Sequence, residues 1–375
     1  DGSDRLGAAV QADLGGIGVL ALTRYARHDA AVLFYSEASF ELDRPLAEHP
    51  VPGFVRESDW RLVDLDDRLW LVYAVGTRLL AVEIQHVRGT LVLSDPWVLL
   101  ASPAVVATPS FDREIGSGRL VAGWREFSGD GTSAVRAGVV SGATAGSTIS
   151  PVGAGPLGFS RPFPGAGSTG SDYLGSRVTF ESRRSLAVLA HESTIYVAAS
   201  AVTRQRSQLS EFHLVPRVFA FPAGGEVSDA SGRASAVEVV DVGGEWAGVV
   251  DSAFSLAVID GSVVVSFLRE WPRQPVRSEM LARRVEVSEE ADEFEPSVVL
   301  DTPRRLTAPR LSGDPVEVVW LQEDPARGGW QAGYQDREYS YLEDAGVVWR
   351  GHPGEAAAAL LLAVPLSVIL ALAWT

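Results

Sequence analysis

Cysteine, lysine and asparagine are all missing from the 375 residues, and methionine occurs once. Without cysteine there is no disulfide, no thiol nucleophile and no thiolate metal site. Without lysine there is no Schiff-base chemistry and no phosphate loop of the Gly-Lys-Ser/Thr form. Without asparagine there is no N-glycosylation acceptor. The joint loss of lysine and asparagine points to a strongly GC-biased genome, with adaptation to salt as a lesser contributor. All 32 basic residues are therefore arginines, set against 48 acids for a formal net charge of −16. That balance, with no stretch that gathers the arginines, argues against a nucleic-acid partner, whose phosphates need clustered cations.

Catalytic motifs are equally scarce. The histidines (His28, His49, His86, His191, His213, His352) are scattered, with no pair at metal-ligand spacing. His191 reads as a solvent-facing turn residue. No Gly-x-Ser-x-Gly elbow exists; the nearest pattern is GFSRP (Gly158–Pro162), in a Gly-rich stretch. The run EVSEEADEFE (Glu286–Glu295) holds six carboxylates and raises Ca²⁺ as the one cofactor to weigh. It lacks the Asp-x-Asp-x-Asp-Gly order of a calcium loop and reads as a solvated connection. Asp64, Asp66 and Asp67 read as an ordinary Asp-rich hairpin turn. No metal site is expected.

What the chain does have is one figure repeated. In RLSGDPVEVVWLQE (Arg310–Glu323) an apolar strand, a Gly-Asp-Pro turn and an alternating strand follow one another. Similar hairpins turn at Gly15-Gly16, Asp66-Asp67, Ser117, His191-Glu192 and Asp260-Gly261. Turn-to-turn spacings of roughly 50, 50, 75, 70 and 53 residues mark a repeat architecture. After each hairpin comes material for one or two more strands, such as RLLAVEIQ (Arg78–Gln85) and TLVLSD (Thr90–Asp95). Four strands per unit make the blade of a β-propeller. The expected fold is all-β, a six-bladed propeller over residues 1–351; a seventh blade could hide between the fourth and fifth hairpins. Ser141–Asp172, rich in Gly, Ser, Ala and Pro, is expected to be a long surface loop outside the core. Trp60, Trp70, Trp124 and Trp320 recur near the hairpins and are expected to pack blades.

PRLSGDPVEVVWLQED with the following GGWQAGY resembles the repeats of sialidase-like (BNR-type) β-propellers. The Asp-box of that family, Ser-x-Asp-x-Gly-x-Thr-Trp, is not intact here. Its nearest match, SGDGTS (Ser128–Ser133), is one residue short between Asp130 and Gly131. Arginines open the first strand of several units: Arg61, Arg113, Arg184 and Arg310. First strands line a propeller channel, so a ring of these arginines would bind carboxylates bidentately. The resemblance implies such a cluster, together with a Tyr/Glu pair and an Asp. The competing expectation is that each arginine caps a strand edge or pairs with a local acid.

The end of the chain differs in kind. After a short linker at 352–355, residues 356–375 carry no charge. As a helix they would span about 30 Å, enough to cross a bilayer. Leu360, Leu361, Leu362, Val364, Pro365, Leu366, Val368, Ile369, Leu370, Leu372 and Trp374 would be embedded, with Trp374 at the interface. Membrane lipid is thus one expected partner, and a protein at a propeller face or beside the helix is another. The first residue is Asp, so the chain is expected to be either signal-processed or trimmed; on the first reading the propeller lies outside the cytoplasm, periplasmic or at the cell surface. The resulting reading is a membrane-anchored binding or scaffolding module, an accessory subunit of a membrane assembly. The rival is a glycoside hydrolase or lyase of sialidase-like type with an axial site.

Overall fold

The run LWLVYAV (Leu69–Val75) has no polar side-chain atom except the Trp70 indole nitrogen and the Tyr73 hydroxyl, and its position explains why. It lies inside a sheet covered on both faces. Leu69, Leu71 and Tyr73 enter one buried cluster, while Trp70, Val72 and Ala74 enter another on the opposite side. Strand alternation therefore feeds two cores rather than one core and solvent. The computed structural model describes residues 5–14, 18–25, 30–36, 44–51, 59–65, 68–88, 90–129, 132–159, 186–204, 212–223, 235–238, 250–270, 278–285, 297–302, 306–312, 317–324, 329–340 and 348–351.

The described residues are all-β, and the strands run in chain order as antiparallel meanders. The first meander is β1 (Arg5–Asp13), β2 (Gly18–Tyr25), β3 (Ala30–Ser36) and β4 (Ala47–Pro50). The second is β5 (Trp60–Asp64), β6 (Leu69–Val75), β7 (Arg78–Val87) and β8 (Thr90–Leu93), with β9 (Trp97–Ala101) also paired to β7. The third is β10 (Val105–Arg113), β11 (Leu120–Phe127), β12 (Thr132–Val140) and β13 (Ile149–Phe159). The fourth is β14 (Leu186–His191), β15 (Thr194–Arg204), β16 (Phe212–Pro222) and β17 (Ser235–Glu238). The fifth is β18 (Val250–Ile259), β19 (Ser262–Glu270), β20 (Ser278–Arg284) and β21 (Ser297–Thr302). The sixth is β22 (Leu306–Ser312), β23 (Glu317–Asp324), β24 (Gly329–Ser340) and β25 (Val348–Gly351). The fourth and fifth are joined by one parallel pair, Leu214 with Val250.

Five buried clusters hold the meanders together, each drawn from two consecutive ones. The first strands β1, β5, β10, β14, β18 and β22 pack side by side in that order. Trp60, Trp70 and Trp124 are buried in these seams, as expected of blade-packing residues. The side chain of Trp320 lies outside the described residues.

Two expectations need correction. Residues 149–159 are not surface loop but β13, the outer strand of the third meander, with Ile149 and Leu157 buried. The composition misleads because the volume at this seam is supplied from across it. Gly153 and Gly155 leave room for the rings of Phe221 and Phe219, which are fully buried. Residues 160–185 lie outside the described set. His191 is the last residue of β14 and only 22% of its side chain is exposed. The turn is instead Glu192–Ser193, both at positive φ (48° and 60°), the backbone of a two-residue hairpin of the primed type.

The expected transmembrane span at 356–375 and its linker lie outside the described residues. Among the described residues no helix is long and apolar enough to cross a membrane.

Candidate functional site

Among the described residues each first strand has one antiparallel partner, and its other edge lies beside the neighbouring first strands, with β18 also taking the single parallel pair to β16. Four of these strands carry a β-bulge in the same place. The register slips between Leu6 and Ala9, Ala107 and Ser110, Ser252 and Ser255, and Thr307 and Arg310. A bulge frees a ladder donor and re-aims nearby side chains, and bulges gather beside functional sites. At the third meander the donor is visible. Thr108 sits at φ 47°, and its N–H donates to Oδ2 of Asp59, 2.8 Å away in the lead-in to β5.

Similar bonds tie neighbouring first strands elsewhere. Asp112 Oδ2 accepts the Ala190 N–H at 2.8 Å, and Glu114 Oε1 accepts the Ser193 N–H at 2.9 Å. The Ser255 hydroxyl donates to the Leu311 carbonyl at 3.0 Å. Glu114 also takes the Ser117 hydroxyl and the Arg119 guanidinium, the latter at 2.7 Å. The Ser117 and Ser193 bonds hold its carboxyl below the usual carboxylate range, with Arg119 adding to them. Asp112 is shifted the other way, because burial outweighs its backbone bonds from Ala190 and Arg113.

Those opposite shifts make a prediction. A carboxylate with a depressed folded pKa contributes stability above its unfolded pKa and loses it as the pH falls through the folded value. Glu114→Gln should therefore flatten the loss of melting temperature between about pH 5 and pH 3. Asp112→Asn should not flatten it. Thermal melts of both variants across that range check this, and equal flattening in both would refute the assignment.

Glu126 closes the third meander onto the second. Its Oε1 accepts the Ser102 hydroxyl at 2.8 Å and the Trp124 indole N–H at 3.1 Å, and its Oε2 accepts Arg136 Nε at 2.8 Å. Glu83 accepts the Gln85 side-chain amide at 2.8 Å. None of these acids was singled out from the sequence. Asp112 and Glu114 carried a faint signal, as two acids at strand period just ahead of a Gly-Ser-Gly-Arg turn.

The expected arginine ring is not assembled by the described residues. Arg61, second in β5, is half-buried and its Nη1 donates to the Trp60 carbonyl at 3.0 Å. Arg113, last in β10, is exposed and its Nε donates to the Gly118 carbonyl at 3.2 Å. Asp59, just ahead of Arg61, meets Thr108, well ahead of Arg113, so the two arginines stand at opposite ends of adjacent strands. Both make the local bonds of a strand edge or turn. Arg310 directly follows the bulge of β22; its side chain, and all of Arg184, lie outside the described residues. The acidic run 286–295 lies outside them too. Among the described residues no group of His, Asp and Glu could hold a metal ion.

No family model and no curated protein matches the chain. Solved structures do resemble it, and they include β-propeller enzymes. A protein of unknown function from Dyadobacter fermentans is 10% identical, covering 89% of this chain and 94% of its own, with a TM-score of 0.47. Trypanosoma rangeli sialidase in complex with sialic acid is 9% identical, covering 88% of this chain and 54% of the enzyme, at 0.45. An exo-1,5-α-L-arabinanase from a bovine ruminal metagenomic library is 7% identical, covering 94% and 99%, at 0.35.

Proposed function

We propose that the chain closes as a six-bladed β-propeller, is held at a membrane by residues 356–375, and acts as a binding or scaffolding module. The series of first strands from β1 to β22 supports the ring, which needs only β22 to meet β1. The observation that carries the binding role is how five of the described carboxylates are used. Asp59, Asp112, Glu83, Glu114 and Glu126 each accept donors of the protein's own backbone or side chains. Glycoside hydrolysis needs two carboxyl groups roughly 5–9.5 Å apart across a gap for the sugar, free to exchange protons. Glu114 and Glu126 each hold three donors and Asp112 holds two, which commits these carboxylates to structure. The four bulges at matching places on the first strands mark the inner edges as the candidate recognition surface.

The test compares the full chain with one ending at Gly354. The full chain should stay with membranes through a high-salt wash, and the shorter one should be soluble and folded. In intact cells, added protease should reach the propeller, which we place outside the cytoplasm. Neither form should turn over sialosides or arabinosides. A shortened chain that stayed with the membrane would refute the tether. Turnover lost on changing Asp59 would make the chain a glycoside hydrolase or lyase instead.

A further inference from the structure

The seam between the first two meanders holds two polar groups with no hydrogen-bond partner: His49 Nε2 and the Tyr73 hydroxyl. Both atoms are buried, and the two rings lie 6.1 Å apart, tilted by 54°. His49 pairs with Val32 across β3 and β4, so it shares the face that Val32 turns into the apolar seam. Val19, Phe34, Leu71, Ile84 and Leu91 line the same cluster. The charges nearby are turned away or exposed. Glu48 and Arg24 form an ion pair on the other face of the first meander. On β5, Arg61 alternates away from Trp60, which is in the seam; Asp64 shares the face of Trp60 but is exposed and pairs with Leu69, four residues along β6 from Tyr73. From the second meander the titratable groups on this side are Tyr73 and, all exposed, Asp64 at the end of β5 and Arg78 and His86 toward the two ends of β7. No described acid is placed to receive an imidazolium.

We propose that this seam is a proton-sensitive latch: neutral His49 packs it shut, and protonated His49 loosens the first meander from the second. An imidazolium must be solvated or paired, and here it meets an aromatic ring and aliphatic carbons. Burial accordingly holds the His49 pKa below the ordinary imidazole value. The sign follows by linkage. The unfolded histidine takes its proton at about pH 6.5, before the folded one does. The seam is thus fully stable above that pH, and loses stability as the pH falls from there through the folded pKa. The latch depends only on the fold, so it stands whether the protein binds or catalyses.

Hydrogen–deuterium exchange of the full chain at pH 7.5 and pH 5 tests this, after correction for intrinsic rates. Amides of β2 and β3 should exchange about tenfold faster at the lower pH. Those of β11 and β12 should not change. His49→Gln, neutral at both values, should abolish the difference, while Tyr73→Phe should keep it. Equal protection of β2 and β3 at both pH values would overturn the latch, as would a His49→Gln variant that responds like the parent. If that variant does not fold, an NMR titration of the parent decides: a His49 ring titrating at or above about 6.5 is incompatible with the latch.

Discussion

Gly155→Val should cost about 3 kcal/mol, a large share of the about 5–15 kcal/mol by which whole domains are stable. A Cβ at this position would sit 2.2 Å from Phe219 Cδ1 and 2.5 Å from Cε1, far inside van der Waals contact. The ring has nowhere to go. Phe219 is fully buried, and its neighbour Phe221, 6.4 Å away, is itself pressed against Gly153, where a Cβ would come within 2.6 Å. The rings fill grooves that two glycines leave in β13. Repair should come from the other side of the seam. Phe219→Leu in the Gly155→Val background should recover a kcal/mol or more, although Phe219→Leu alone destabilises. Chemical denaturation of the two single variants and the double gives the coupling. Additive costs, or a Gly155→Val protein within about 1 kcal/mol of the parent, would show that the seam can shift.

The same two glycines mark the limit of what the sequence displays. Runs such as LWLVYAV and turns such as Asp260-Gly261 announce themselves, because strand period and turn chemistry are local. The hairpin rhythm therefore exposes the repeating meanders and their order. ISPVGAGPLGF hides its strand because a composition rule treats each segment as supplying its own core. Here the bulk is Phe219 and Phe221, more than sixty residues away in sequence. The cross-links are hidden for a related reason. That Asp112 meets Ala190 and Glu114 meets Ser193 follows from how two strands sit side by side, and neither strand's sequence encodes it alone. The arginines misled in the opposite way. Arg61 and Arg113 look equivalent by their closeness to a hairpin, yet one opens its strand and the other ends it.

Glu126→Ala should be the most damaging removal of a polar side chain described here, at about 3 kcal/mol, and the parts of that cost can be separated. Three donors depend on the carboxylate. The Trp124 indole belongs to a fully buried ring, and its N–H reaches Glu126 at 3.1 Å. Orphaning a buried donor costs about 1–3 kcal/mol. The Ser102 hydroxyl, bonded at 2.8 Å, holds the link from the second meander to the third, and its loss adds a smaller amount. Arg136 looks the strongest of the three, charged and at 2.8 Å. Its side chain is 38% exposed, however, so water screens the pair and replaces Glu126 when the acid is gone. Partly exposed pairs of this sort contribute about 0–1 kcal/mol. The ordering is therefore fixed: Arg136→Ala should cost less than about 1 kcal/mol, and Glu126→Ala several times that. Glu126→Gln should fall between them, since one amide cannot accept from Trp124 and Ser102 without turning its own N–H groups toward Arg136. Urea denaturation of the three variants measures the order. If Arg136→Ala proved as costly as Glu126→Ala, the charge pair and not the buried indole would be what holds this seam.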